Sequence, residues 1–397
     1  METKKVPCSG GDRKQGYHEY SSTVSPLSQN VKSENKIISY LSETFTRFKL
    51  QAIAKKLIRS RLDGFANKDY CKCHSTTRSA LVSLRRNPET FRAYYDGVIT
   101  CATPMLCPVC SPRIMGTRSA EIKTAVHSWL AEAPENTCYL ITLTLRHCLT
   151  DSLASLLSLF KKARKYFWEH GTLKRLLQGS GRVGRITATE IQYGIKNGWH
   201  PHQHILLFSQ KTDFQVDVLR GIWLAALASV GLSGVGDIAF DLIEARSCDA
   251  YLTKLSSEMV LGALKDGRLL GHYSPFQLLE EFASGSAWAG ECFLELFVAA
   301  RQIHPLVWSR GLKARFGIGE VSDQQITDNK ADASALVDFL WMQDKGFKIL
   351  TPELRAALRN SAAVGDWDKA CCLLERAGVQ YGTLQEMEAL LCARKSR

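Results

Sequence analysis

The sequence predicts an α+β fold: an antiparallel sheet with flanking helices that cover one side. Three observations predict it. Residues 137–146 and 199–208 alternate apolar and polar side chains, as a half-buried strand does. Residues 153–168 instead repeat leucine at helical spacing. The order along the chain is strand, helix, hairpin, helix, strand, helix, which is the pattern of sheet and helices packed as layers.

The elements follow in order. Residues 1–35 are rich in Ser, Gly, Lys and Gln and read as a tail. Residues 36–130 hold a basic helix and a cysteine-rich segment that could bind zinc. The helix, residues 36–63, carries Lys55, Lys56 and Arg59, whose charges suit a phosphate backbone or, more plainly, a solvated face. Residues 131–325 form the main domain. It opens with a strand placing Ile141, Leu143 and Leu145 on one face and Thr142, Thr144 and Arg146 on the other. Helix 153–168 brings the cations Lys161, Lys162, Arg164 and Lys165, a second DNA-contact expectation. A glycine-rich turn at 179–184 precedes two strands, 185–193 and 199–208, joined at Lys196-Asn197-Gly198. Helix 214–232, strand 238–243 and helix 249–264 follow, then helices over 275–283 and 291–303. Residues 326–397 read as a helical C-terminal appendage.

Bulk properties narrow the function. The net charge of +12 over 397 residues favours a polyanionic partner. The longest apolar stretch, residues 222–232, is too short for a bilayer, and residues 1–30 lack a secretory signal's apolar core. The expected setting is therefore cytoplasmic, without membrane, and its reducing conditions make metal binding or burial the reading for most of the 13 cysteines.

The sharpest feature is Trp199-His200-Pro201-His202-Gln203-His204-Ile205-Leu206-Leu207. Alternation puts three of the chain's 10 histidines on one face and Ile205 and Leu207 on the other. With a three-residue turn pairing Ile195 with Trp199, Glu190 faces His204 and Gln192 faces His202. A two-residue turn sends Glu190 to the wrong side. Two histidines and a carboxylate suit Mn²⁺ or Mg²⁺ acting on phosphate, and three histidines would also suit zinc.

Cys107-Pro108-Val109-Cys110 has zinc-knuckle spacing. Cys101 makes a third thiolate, and Cys71, Cys73 or His74 could complete four, with Cys73 in the candidate set and the spacing leaving the fourth open. Buried reduced cysteines are the alternative.

The His-Pro-His-Gln-His strand with Glu190 upstream resembles motif II of HUH endonucleases, and most closely the rolling-circle plasmid replication initiators with one catalytic tyrosine. Residues 139–144 resemble their motif I, Tyr251-Leu252-Thr253-Lys254 their motif III, and residues 306–313 a later segment; the likeness runs from about residue 101 to 323. It implies an HUH-type sheet, His202 and His204 as the metal pair with His200 as the family's extra histidine, Tyr251 as nucleophile and Lys254 as its lysine. On a helix, residues three apart share a face, and a nearby cation favours the phenolate. The implied reaction nicks single-stranded or hairpin-extruded origin DNA, leaving a 3′-hydroxyl primer and a 5′-phosphotyrosine. Host helicase and polymerase partners and a plasmid-encoded, bacterial setting are implied in the same way. One departure is Ser247, where some members carry a glutamate for termination. The competing classes are a non-enzymatic zinc-containing DNA-binding regulator and a zinc hydrolase built on the three histidines.

Overall fold

The structure is a computed structural model describing residues 26–65, 68–245, 271–328 and 333–395. It has two compact units, Met1–Ser42 and Glu43–Arg397. Of the first, the helical backbone from Pro26 is described; both sheets and both clusters of metal-type side chains belong to the second. Tyr251, Lys254 and the expected helix 249–264 lie outside the described residues.

Among the described residues, ten strands form two antiparallel sheets. The smaller contains β1 (Leu81–Asn87) and β2 (Arg92–Asp96) from the cysteine-rich segment, with β9 (Val337–Gln343) and β10 (Tyr381–Gly382) from the C-terminal region, in the order β10-β9-β1-β2. The larger contains β3 (Asn136–Leu143), β4 (Gly184–Gly194), β5 (Gly198–Gln210), β6 (Phe240–Ala245) and β7 (His272–Tyr273), in the order β6-β3-β5-β4-β7, with β8 (Leu306–Trp308) also paired to β4. The helices that matter here are α1 (Pro26–Arg61), α2 (Ser111–Glu132), α3 (Leu153–Glu169), α4 (Val216–Ala228), α5 (Pro275–Ala283), α6 (Ala287–Ala300) and α7 (Pro352–Val364).

Two boundaries differ from the sequence expectation. The helix expected from residue 36 begins at Pro26, inside the expected tail. The C-terminal region is no appendage: β9 pairs along β1 from Leu81↔Gln343 to Arg86↔Val337. Leu340 and Met342 are buried there with Leu84 and Val82. Strand β9 holds a continuous apolar run, Phe339-Leu340-Trp341-Met342, which periodicity alone does not tell from a buried helix segment. The hairpin β1–β2 was hidden by its cysteine-rich surroundings.

The larger sheet contains the four strands expected from the sequence, with β7 and β8 added to it. One face carries Gln203, Ile205 and Leu207 of β5 with Leu143 and Phe240 beside them in register. Phe167 of α3 packs on Phe240 and on Trp223 of α4, and Trp199 donates to Glu295 of α6 at 2.8 Å. Burying these aromatic surfaces fixes the helices on this side. On the opposite face, Phe208 stacks with Phe316 at 5.3 Å, and Lys313 of the same turn ion-pairs with Glu121 of α2 at 3.0 Å. That face is thus covered at the Phe208 end, a departure from helices on one side alone. The histidines occupy its other end.

Candidate functional site: two metal-type clusters

The first cluster is made by one hairpin and its neighbour. The loop between β4 and β5 is Ile195-Lys196-Asn197, closed by the pair Gly194↔Gly198. Gly198 has φ +77, and a Cβ there would stand 2.9 Å from the carbonyl oxygen of Cys148, so only glycine fits without a shift. A three-residue turn was expected, but one residue later. The frame moves by two: Glu190 pairs with His202, not His204, and Gln192 with His200. A shift of two preserves the face, so Glu190 stays with the histidines.

Glu190 Oε2 lies 2.9 Å from His202 Nε2 and 3.7 Å from His204 Nε2. All three side chains are buried, and their ligand atoms fall within 4.8 Å of one another. Their partners complete the arrangement. Gln192 Nε2 donates to Glu190 Oε1 at 2.5 Å, leaving Oε2 turned to the rings. Thr142 of β3, directly across from His204, holds His204 Nδ1 at 3.2 Å. With a proton on that Nδ1, Nε2 keeps its lone pair outward, which is how a ligand imidazole is set. Two imidazoles and one carboxylate, with the fourth side undefined, fit a divalent ion retaining open positions.

His200 stands one ring further along, its centroid 5.0 Å from that of His202. Its Nδ1 meets His147 Nε2 at 2.7 Å, and His147 Nδ1 meets the carbonyl of Asn197 at 2.8 Å. Burial, then the neighbouring His202, His147 and His272, push His200 down to about 3, so its ring is neutral near pH 7. The structure brings Glu190, His202 and His204 together and turns His200 toward His147. Thr142 and His147 escaped the sequence reading. Thr142's position on the polar face of its strand was the available signal; His147 offered none.

The second cluster comprises the sulfurs of Cys73, Cys101, Cys107 and Cys110. Four sulfurs about 2.3 Å from a tetrahedral zinc stand about 3.8 Å apart. Here Cys73–Cys110, Cys101–Cys110 and Cys73–Cys107 are 3.5, 3.8 and 3.9 Å apart, too far for a disulfide and apt for an ion. Of the open choices for the fourth position, Cys73 is the one that converges. Burial would raise the Cys107 thiol, but hydrogen bonds from Cys101, Cys110 and Cys73 outweigh it and hold the group well below the ordinary range. Helix α1 reaches in as well: Gln51 Nε2 donates to Cys73 at 3.3 Å and to Cys107 at 3.2 Å.

The expected DNA-contact cations divide. Lys55 does not lie on a solvated face: it is 6% exposed, and its ammonium donates to Gln51 Oε1 and the carbonyl of Cys73. A helix face that looked solvated is covered because the cysteine segment packs on it. Lys56 is exposed, and Arg59 donates to the carbonyl of Cys71 at 2.7 Å. Lys161, Lys162 and Lys165 are exposed on α3, and Arg164 is half-buried. Since α3 covers the sheet face opposite the histidines, this run does not border the first cluster.

Comparison with known proteins agrees with the resemblance to rolling-circle plasmid replication initiators. Residues 95–220 match the family described as Replication protein. The chain is similar to Protein rep of Streptomyces lividans, 35% identical over 297 residues, covering 56% of this chain and 64% of that protein. It is also similar to the Neomycin resistance protein of Streptomyces cyanogenus, 34% identical over 145 residues, covering 30% of this chain and 32% of that protein. The chain therefore spans less than two thirds of the length of each. No solved structure matches. No helix among the described residues is long and apolar enough to cross a membrane.

Proposed function

We propose that this chain, which carries a replication-protein segment at residues 95–220, is a plasmid rolling-circle replication initiator that nicks and rejoins one DNA strand through Tyr251. The observation that carries the reading is the convergence of His202 Nε2 and His204 Nε2 on one oxygen of Glu190. A Mn²⁺ or Mg²⁺ ion held by these three would withdraw charge from a nonbridging oxygen of the scissile phosphate. Thr142 and Gln192 hold the ligands in their orientation. Neutral His200 keeps a positive charge away from the cluster.

The tyrosine's part rests on the resemblance. Tyr251 Oη would bond to phosphorus as the bond to the 3′ oxygen breaks. The phenolic proton leaves to solvent or a base, the 3′ oxygen departs as a hydroxyl, and the 5′ phosphate stays on tyrosine. Lys254, three residues on in sequence, would favour the phenolate. The phosphotyrosine bond retains the free energy needed to rejoin the strand. Zinc in the four-cysteine cluster would be structural, joining α1 to the β1–β2 segment. Origin DNA is the substrate in this reading, and a host helicase and polymerase would use the exposed 3′ end.

The test is a supercoiled plasmid carrying the cognate origin, incubated with Mn²⁺. Nicked circles and a tryptic peptide carrying nucleotide on Tyr251 are expected. Tyr251→Phe should bind the origin but leave it intact. Binding by the unaltered chain without a nick under any divalent ion would instead make it a zinc-containing DNA-binding regulator.

A further inference from the structure

A group of cations beside the cysteines is only partly explained by that cluster. A cavity of about 460 Å³ lies between α1 and the start of α7, lined by Lys55, Lys56, Arg59 and Arg355, with Phe48 and Pro352 among its apolar walls. No acidic side chain among the described residues lines it. Lys55 and Arg355 are each 6% exposed. Burial lowers the pKa of Arg355. Arg355 Nη2 donates to the carbonyls of Phe347 and Lys348 at 3.3 and 3.4 Å, while its Nε is buried with no hydrogen-bond partner among the described residues. None of the four cations has an ion pair among the described residues. Crowding like charges into a partly buried space costs free energy unless a counter-charge enters. Helix α7 also begins here, capped by Thr351 with Pro352 as its first residue, so its positive dipole end adds to the field.

We propose that this cavity is a phosphate-binding site. Its ligand is an oxyanion with several acceptor oxygens, which a guanidinium fork and ammonium groups hold through charge-assisted bonds. The volume admits a phosphate with its attached sugar. The phosphate comes either from the backbone of a DNA strand lying along α1 or from a free nucleotide. The neighbouring cysteine segment accounts for part of this charge: Lys55 bonds to the carbonyl of Cys73, one of the cluster, and Arg59 to that of nearby Cys71. It does not account for Lys56 and Arg355, which make no hydrogen bond to that cluster. The inference stands apart from the nicking reading.

The experiment uses the full zinc-loaded chain, a fluorescent oligothymidylate without origin sequence, and separately dATP and pyrophosphate. Lys56→Glu alters an exposed side chain, and Lys56→Arg keeps its charge. With Lys56→Glu, oligothymidylate affinity should fall about tenfold and the salt dependence should lose about one unit of slope. Lys56→Arg should restore both, with zinc content and melting temperature unchanged. Loss with oligothymidylate alone assigns the site to strand phosphates. If dATP or pyrophosphate raises the melting temperature of the unaltered chain but not of Lys56→Glu, the ligand is a free nucleotide. Unchanged affinity and slope, with no shift from either small anion, overturn the proposal. So does a loss of binding that only accompanies a loss of zinc.

Discussion

Glu190 and His202 face each other across the β4–β5 hairpin, with Oε2 and Nε2 2.9 Å apart. Both are buried and Gln192 occupies the other carboxylate oxygen, so the pair is held in one orientation. Glu190→Gln keeps the shape and removes the charge. Mn²⁺ affinity, measured by calorimetry, should fall about 10–100-fold or more. Affinity within twofold of the unaltered chain would show that the ion binds elsewhere.

Thr142 acts on the same ion through His204. Thr142→Val is nearly isosteric and frees His204 Nδ1. Loss of the orienting bond should weaken Mn²⁺ binding about tenfold, with little change in melting temperature. Equal binding by both proteins would make Thr142 an ordinary strand residue.

The hairpin turn is a separate control. Gly198→Ala places a side chain at φ +77 and 2.9 Å from the Cys148 carbonyl oxygen. Left-handed backbone costs a non-glycine residue about 1–2 kcal/mol, and the contact adds to it. Denaturant unfolding should show at least that loss, and Mn²⁺ affinity should drop with it because the register carries Glu190.

For the cysteines, metal analysis of the purified chain should find one zinc, released stoichiometrically by a thiol-reactive mercurial. Gln51→Leu removes the amide that donates to Cys73 and Cys107. Zinc should then pass to a competing chelator faster, with a drop of about tenfold in affinity. A preparation without zinc, still folded at its usual melting temperature, would make these thiols simple core residues.

The C-terminal strand gives a further kind of test. Leu340 is 1% exposed in β9, between β1 and β10. Leu340→Ala should cost about 2–5 kcal/mol in the smaller sheet. Proteolysis should then open residues 81–96 well before the histidine strand.

How much was legible depends on range. The alternation of His200, His202 and His204 against Ile205 and Leu207 depends only on strand geometry, so the sequence by itself settled which face holds the imidazoles. Glu190's face was conditional on the length of the turn; the three-residue loop put it with the histidines, its partner displaced by two positions. The spacing of Cys107 and Cys110 is equally local, and so are the main strands and helices of the larger sheet. What tertiary structure decided was every relation across distance. Sequence could not tell that Lys55 is buried, because the Cys71–Cys73 segment that covers it is a separate stretch of chain. It could not choose Cys73 over its neighbours, since that needs four sulfurs at one point. Nor could it see β9 closing a sheet with β1 across some 250 residues of chain, because backbone hydrogen bonds leave almost no residue-specific mark on a short strand.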